Sequence, residues 1–285
     1  MRLWLIGLGL IMGCGGKQSE SGLFSSGIPL GTIDKKLEEA SGLVASASNP
    51  GYFWTHNDSG DDARVYLINT EANVVMTCTL SNARNRDWED ITLGPGPEPG
   101  KNYLYVGDLG DNEARYAFKV IYRFEEPVLA SDKVAITRFD TLFLQLSDGV
   151  RDAEALFIDP ATAGLFVVSK REDSVRVYQI DRTWTSGDTI TAPVKAKLPY
   201  INTVAANVSP DGKEVLLKTY DKIYYWKRTG SEAIPDLLKT KPVELTYRPE
   251  SQGEAIAWDR EGAGFYTLSE SNRRGRANLI FYKRN

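Results

Sequence analysis

A unit of about fifty residues recurs along this chain, and a repeat of that length confines it to an array or a closed ring of one supersecondary element. The marker is an acidic residue opening an apolar run. It appears as Glu39-Ala40-Ser41-Gly42-Leu43, Glu89-Asp90-Ile91-Thr92-Leu93, Glu154-Ala155-Leu156-Phe157-Ile158 and Glu254-Ala255-Ile256-Ala257-Trp258. A weaker copy, Val204-Ala205-Ala206-Asn207-Val208, is set in register by Ser209-Pro210 against Asp159-Pro160. Markers at 39, 89, 154, 204 and 254 are spaced by 50, 65, 50 and 50 residues. The long interval takes in a Gly/Pro loop at 94–100 and a longer outer segment near 125–135.

Each marker is followed by a second apolar run, such as Tyr52-Phe53-Trp54-Thr55 or Leu165-Phe166-Val167-Val168. A third follows, such as Val65-Tyr66-Leu67-Ile68 or Val175-Arg176-Val177-Tyr178. Their β-branched and aromatic content, broken by turn residues, predicts strands. A fourth run lies at 73–80, 136–146, 194–200 and 242–247. Four strands per period is a propeller blade. The last copy has only three runs, and residues 28–33 ahead of the first copy supply the fourth by pairing the two ends. The expectation is therefore an all-β fold, a β-propeller of five four-stranded blades over 28–285. A degenerate sixth blade within 113–150 is the alternative.

Composition agrees. The chain has 285 residues, 42% hydrophobic, 25% charged and 11% aromatic, an ordinary globular balance. A net charge of −4 supplies no basic surface for nucleic acid. One His and two Cys exclude a His-rich metal site and a disulfide scaffold. Cys78, alternating with polar residues in a strand-like run, reads as a packed thiol.

Residues 1–13 carry Arg2 and an apolar stretch too short to span a bilayer, followed by Cys14. Ile11-Met12-Gly13-Cys14 resembles the lipobox of bacterial lipoproteins. That resemblance implies a signal peptide over 1–13, cleavage before Cys14 and lipidation on its sulfur. Residues 14–27 then form a flexible polar tether. Gly15 after the Cys favours the outer membrane or cell surface of the bacterial envelope.

Within the repeats, Tyr52-Phe53-Trp54-Thr55-His56-Asn57-Asp58 with Val65-Tyr66 resembles a YWTD-type propeller repeat. Residues 154–159, 164–169 and 175–180 resemble NHL or phytase-like blades. Trp54 to Gly60, Asp87-Trp88-Glu89-Asp90, Gly107-Asp108-Leu109-Gly110-Asp111-Asn112 and Gln252-Gly253-Glu254-Ala255 together resemble a group of uncharacterised bacterial propeller proteins. The likeness implies the fold and says nothing of chemistry. It departs in showing five repeats where YWTD and phytase propellers have six, and in Val204 where the repeated Glu belongs.

The innermost strand of a blade lines the central channel, so Glu39, Glu89, Glu154 and Glu254 are expected to ring one mouth. Converging carboxylates need a neutralising partner. Calcium, which accepts flexible oxygen shells, is the expected cofactor, with Asp58 and Asp108 completing the metal set. The other reading makes each Glu an inter-blade staple. Flanking Asp87, Asp90 and Asp152 add acidity, while Asp111 reads as turn chemistry. His56 beside Asp58 is a general-base candidate, or else a satisfied structural imidazole. Lys170 is the second catalytic candidate. Asn57, Lys218 and Glu270 are candidate ligand-binding residues on the same mouth. The basic stretch Arg273-Arg274-Gly275-Arg276 reads as a solvated hairpin loop.

No nucleophile elbow, zincin or P-loop motif is present. Two function classes follow. One is a lipid-anchored binding propeller whose acidic mouth takes a polar small molecule, a glycan or a protein partner. The other is a metal-dependent hydrolase of phosphate esters or glycosides.

Overall fold

The computed structural model describes residues 22–271 and 275–285. The signal peptide, Cys14 and most of the tether, together with Arg273 and Arg274, lie outside the described residues.

The strands fall into five sheets arranged in a ring. Strand β1 (Ile28–Thr32) comes first. Blade 1 holds β2 (Ala40–Ala45), β3 (Phe53–Asn57), β4 (Arg64–Ile68) and β5 (Val74–Leu80). Blade 2 begins with β6 (Trp88–Pro95), β7 (Asn102–Asp108) and β8 (Lys119–Glu125); β9 (Lys133–Ile136) and β10 (Asp140–Leu146) follow in the chain. Blade 3 holds β11 (Ala153–Asp159), β12 (Gly164–Ser169), β13 (Val175–Ile180) and β15 (Val194–Leu198), with β14 (Thr189–Ala192) lying between β13 and β15 in the chain. Blade 4 holds β16 (Thr203–Val208), β17 (Glu214–Thr219), β18 (Ile223–Lys227), a single helical turn α1 (Ile234–Leu238) and β19 (Val243–Leu245). Blade 5 holds β20 (Ala255–Trp258), β21 (Gly264–Leu268) and β22 (Asn278–Lys283).

The five inner strands β2, β6, β11, β16 and β20 pack successively on one another and close the ring. They are buried on both faces, which accounts for their unbroken apolar runs, whereas the outer β5 alternates buried and half-buried residues. Ring closure is as expected. Strand β1 pairs antiparallel with β22, Ile28 opposite Phe281 and Thr32 opposite Asn278, so the two ends of the described chain share blade 5. Cys78 has no exposed surface, and burial pushes its thiol up to about 12, the packed thiol expected from its run.

Residues 113–150 build no sixth blade. β8 and β10 belong to blade 2, while β9 reaches back and adds to blade 1, parallel to β5. Strand β14 does the same to blade 2, beside β10. The first crossing is fastened by buried Glu126. Its carboxylate accepts from Ser46 Oγ (2.6 Å), Ser48 Oγ (2.7 Å), Trp54 Nε1 (2.9 Å) and the amides of Ala47 and Ser48.

In blades 1 to 4 the inner hairpin carries a bulge at one shared position. The register slips between Ser41 and Leu43, Trp88 and Asp90, Ala153 and Ala155, and Thr203 and Ala205. The skipped residues are Gly42, Glu89, Glu154 and Val204. A bulged residue drops out of the ladder and has its side chain re-aimed. Glu254, immediately before β20, takes the corresponding place in blade 5. The residue of blade 1 equivalent to Glu89 and Glu154 is thus Gly42, and the expected alignment through Glu39 is three residues out. Gly42 has φ +61°, and a Cβ there would lie 2.6 Å from His56 Nε2 and 2.8 Å from Ile91 N.

Candidate functional site at the acidic channel mouth

Every inner strand begins, and every second strand ends, at the same mouth of the channel. Bulge geometry sends Glu89 and Glu154 to that mouth, and Glu254 joins them; they are 3%, 2% and 4% exposed. The chain leaving each second strand is tied to the chain entering the first. Asp58 N donates to Glu39 O, Gly110 N to Asp87 O, Lys170 N to Asp152 O, and Glu270 N to Gln252 O. These bonds set Asp58, Gly110, Lys170 and Glu270 around the three Glu, and Tyr220 of blade 4 completes the circle.

The circle is electrostatically lopsided. On the side of blades 3 and 4, Lys170 Nζ lies 2.7 Å from Glu154 Oε1 and 3.9 Å from Glu254 Oε1. The ammonium sits 5.1 Å from the centre of the Tyr220 ring, and Tyr220 OH donates to Glu254 Oε1 at 2.7 Å. Among the described residues, the charged groups that blades 5, 1 and 2 bring to the circle are carboxylates, with the Gln252 amide donating to Glu270 Oε2 at 2.7 Å. Oxygens of Asp58, Glu254 and Glu270 lie within 4.8 Å of one another, and so do oxygens of Asp58, Asp87 and Glu89. Glu254 Oε2 is buried and accepts no hydrogen bond from the described residues.

Crowding acids in a desolvated space favours their neutral forms. Burial, then the neighbouring Asp87, lifts Asp58 to about 8; burial, then Glu254, lifts Glu270 to about 9. Burial raises Glu89 well above the carboxylate range, with Glu154 and Asp58 adding to it. Glu154 rises to about 7 through burial, against the pull of Lys170.

The structure therefore brings Asp58, Glu89, Glu154, Lys170, Glu254 and Glu270 together. Glu39 is exposed at the rim. Asp108 does a different job: it accepts from the amides of Arg86 (3.3 Å) and Asp87 (3.2 Å) and pairs with the Arg86 guanidinium at 3.3 Å. It positions Asp87 and contributes no oxygen to either carboxylate triplet. Asp111 likewise caps its own loop, accepting from Arg115 N, Tyr116 N and buried Lys119 Nζ.

His56 has no exposed surface. Its Nδ1 lies 2.9 Å from Asn57 O, its ring meets Trp88 edge-on at 5.8 Å, and burial lowers it to about 4. That environment belongs to a neutral structural imidazole between blades 1 and 2. Asn57 donates to Lys36 O and Asp61 Oδ2, holding the entry to blade 1. Lys218 is fully buried, donates to Gly253 O and lies 4.9 Å from the centre of the Tyr247 ring; burial brings it down to about 8.

Of the Glu, Glu254 makes an inter-blade staple, accepting from Tyr220 of blade 4, and other residues form further staples. Asp90 Oδ2 accepts from Leu156 N at 2.9 Å, linking blades 2 and 3. Asn207 Oδ1 accepts from Trp258 N at 3.1 Å, and Ser41 Oγ donates to Glu89 O at 2.6 Å. Asp87 was visible in the sequence only as added acidity. Its position next to Glu89 in the Asp-Trp-Glu run was the available signal. At the other end of the channel a hollow of about 340 Å³ is lined by Val44, Thr92, Ile158, Asn207, Trp258 and Arg260, without a carboxylate. No protein-family model matches the chain, and no curated protein matches it.

Proposed function

We propose that this chain is an extracytoplasmic binding propeller, lipid-anchored through Cys14, that holds calcium at its channel mouth and there engages a polar ligand or partner. The observation that carries the reading is the Asp58, Glu254 and Glu270 triplet, with Glu254 Oε2 buried and unpaired among the described residues. A buried carboxylate oxygen without a donor costs several kcal/mol of lost hydration unless a proton or a cation meets it. All three donors are oxygens, and calcium accepts irregular carboxylate shells more readily than magnesium, which demands a tight octahedron. The YWTD-like and NHL-like runs support the propeller kinship, and the lipobox-like start supports the envelope location.

Binding is favoured over hydrolysis by the state of the two catalytic candidates. His56 is sealed and neutral, and Lys170 is committed to Glu154. Metal analysis of the protein after dialysis, in parallel with Cys14→Ser fractionation, tests the two halves of the reading. Calcium retained at a stoichiometric level, and membrane partitioning lost in Cys14→Ser, are the expected results. A metal-free protein without calcium affinity overturns the site; a variant that still pellets with membranes overturns the anchor.

A further inference from the structure

The mouth contains a second triplet that the first cation does not satisfy. Asp58 belongs to both sets, facing Glu254 and Glu270 on one side and Asp87 and Glu89 on the other. We propose that the mouth takes two calcium ions, with the Asp58 carboxylate shared between them and Asp87 and Glu89 completing the second position. This inference rests on the calcium reading of the first.

Three observations carry it. Glu89 is 3% exposed, and its carboxyl accepts no hydrogen bond from any amide, hydroxyl or amine of the described residues. The neighbour that it meets is the Glu154 carboxyl, already engaged by Lys170. Two facing carboxylates hold together only through a shared proton or a cation.

Charge gives the second argument. Among the described residues, Asp58, Asp87, Glu89, Glu154, Glu254 and Glu270 have one ammonium in direct contact, Lys170, while Arg86 and Lys119 near Asp87 are paired with Asp108 and Asp111. With all six acids ionised, a single dication leaves three negative charges uncompensated in a poorly solvated space. A second dication leaves one.

The third is the backbone of blade 2. Gly110 passes so close to the second triplet that a Cβ would come 2.2 Å from both Asp87 Oδ2 and Glu89 Oε1. Its amide donates to Asp87 O, and Asp108 accepts from the Asp87 amide, so the Asp87 backbone is held on both sides. The two carboxylates thus lie against a stretch of backbone that leaves no room for a side chain at residue 110.

Equilibrium dialysis against calcium, reading ions bound per chain, tests the proposal. Wild type is expected to bind two, Asp87→Asn and Glu89→Gln one each, and Glu270→Gln one. Asp58→Asn should weaken both sites at least tenfold. Melting curves in chelator establish that each variant is folded. One ion per chain in wild type, lost in Glu270→Gln and retained in Asp87→Asn, overturns the second position and leaves the first intact. Two ions that survive both Asp87→Asn and Glu89→Gln also overturn it. No binding in wild type overturns both readings together.

Discussion

Lys170 Nζ stands 2.7 Å from Glu154 Oε1, with both side chains less than a tenth exposed, and this contact divides the channel mouth into a neutralised half and an acidic half. Although burial opposes it, the Glu154 carboxylate raises Lys170, so the ammonium stays charged through the working pH range. Breaking a buried pair from one side strands the other charge, at a cost of about 3–5 kcal/mol. Lys170→Met should lose stability on that scale at pH 8.5 in chelator, measured by urea unfolding. It should also bind calcium more tightly than wild type, since the mouth then lacks the Lys170 ammonium. A loss under about 1 kcal/mol, the level of an exposed pair, would show that the contact is superficial.

The raised acids make stability depend on pH in a definite direction. Unfolded, Asp58 and Glu270 ionise near 3.8 and 4.5; folded, they do so near 8 and 9. Between those values the folded chain binds more protons than the unfolded one, so stability falls as pH rises. In chelator the melting temperature should therefore drop from pH 6 to pH 9, most steeply below the folded values and levelling off as pH passes through them. Calcium displaces those protons and should flatten the slope. A chelator profile that rises across this window contradicts the crowding of the acids.

Closure of the ring depends on the segment entering blade 1. Ile33 and Leu37 have no exposed surface, and Phe24 packs within 5.0 Å of Phe265, centre to centre. Truncating a fully buried Ile to Ala costs about 2–5 kcal/mol. Ile33→Ala should lose that much in urea unfolding, and removal of residues 22–33 should leave β22 with a free edge prone to self-association. Unchanged stability and a monomeric truncation would mean that blade 5 is complete without β1.

The ring was legible in the sequence because its unit is covalently repeated: five apolar inner strands, a common period and a missing fourth strand all survive as pattern. Loop length was not. Blade 1 has three more residues between its inner and second strands than blade 3, and Asn49-Pro50 stands further from Gly42 than Asp159-Pro160 from Glu154. The Glu at 39 filled the apparent slot by coincidence of spacing. β9 and β14 were invisible for another reason, since a strand's partner across a blade boundary leaves no local signature. Asp108 and Asp87, two acids at the open end of one hairpin, differ in role only through direction: Asp108 faces backbone amides and Asp87 lies beside Glu89. Residue type alone cannot carry that distinction.

The central claim is that carboxylates at the mouth are held together by calcium, and Glu254 is the residue on which it turns. Thermal melting of wild type and Glu254→Gln, each with calcium or with chelator at pH 8, is the direct measurement. At a hundredfold excess over Kd, calcium should stabilise wild type by about 2.7 kcal/mol, a rise of roughly 5 °C for a chain of this size. Glu254→Gln, which removes the buried charge and keeps the shape, should melt higher than wild type in chelator and respond to calcium by less than half as much. Equal melting of wild type with and without calcium, or a full calcium shift retained in Glu254→Gln, would contradict the account.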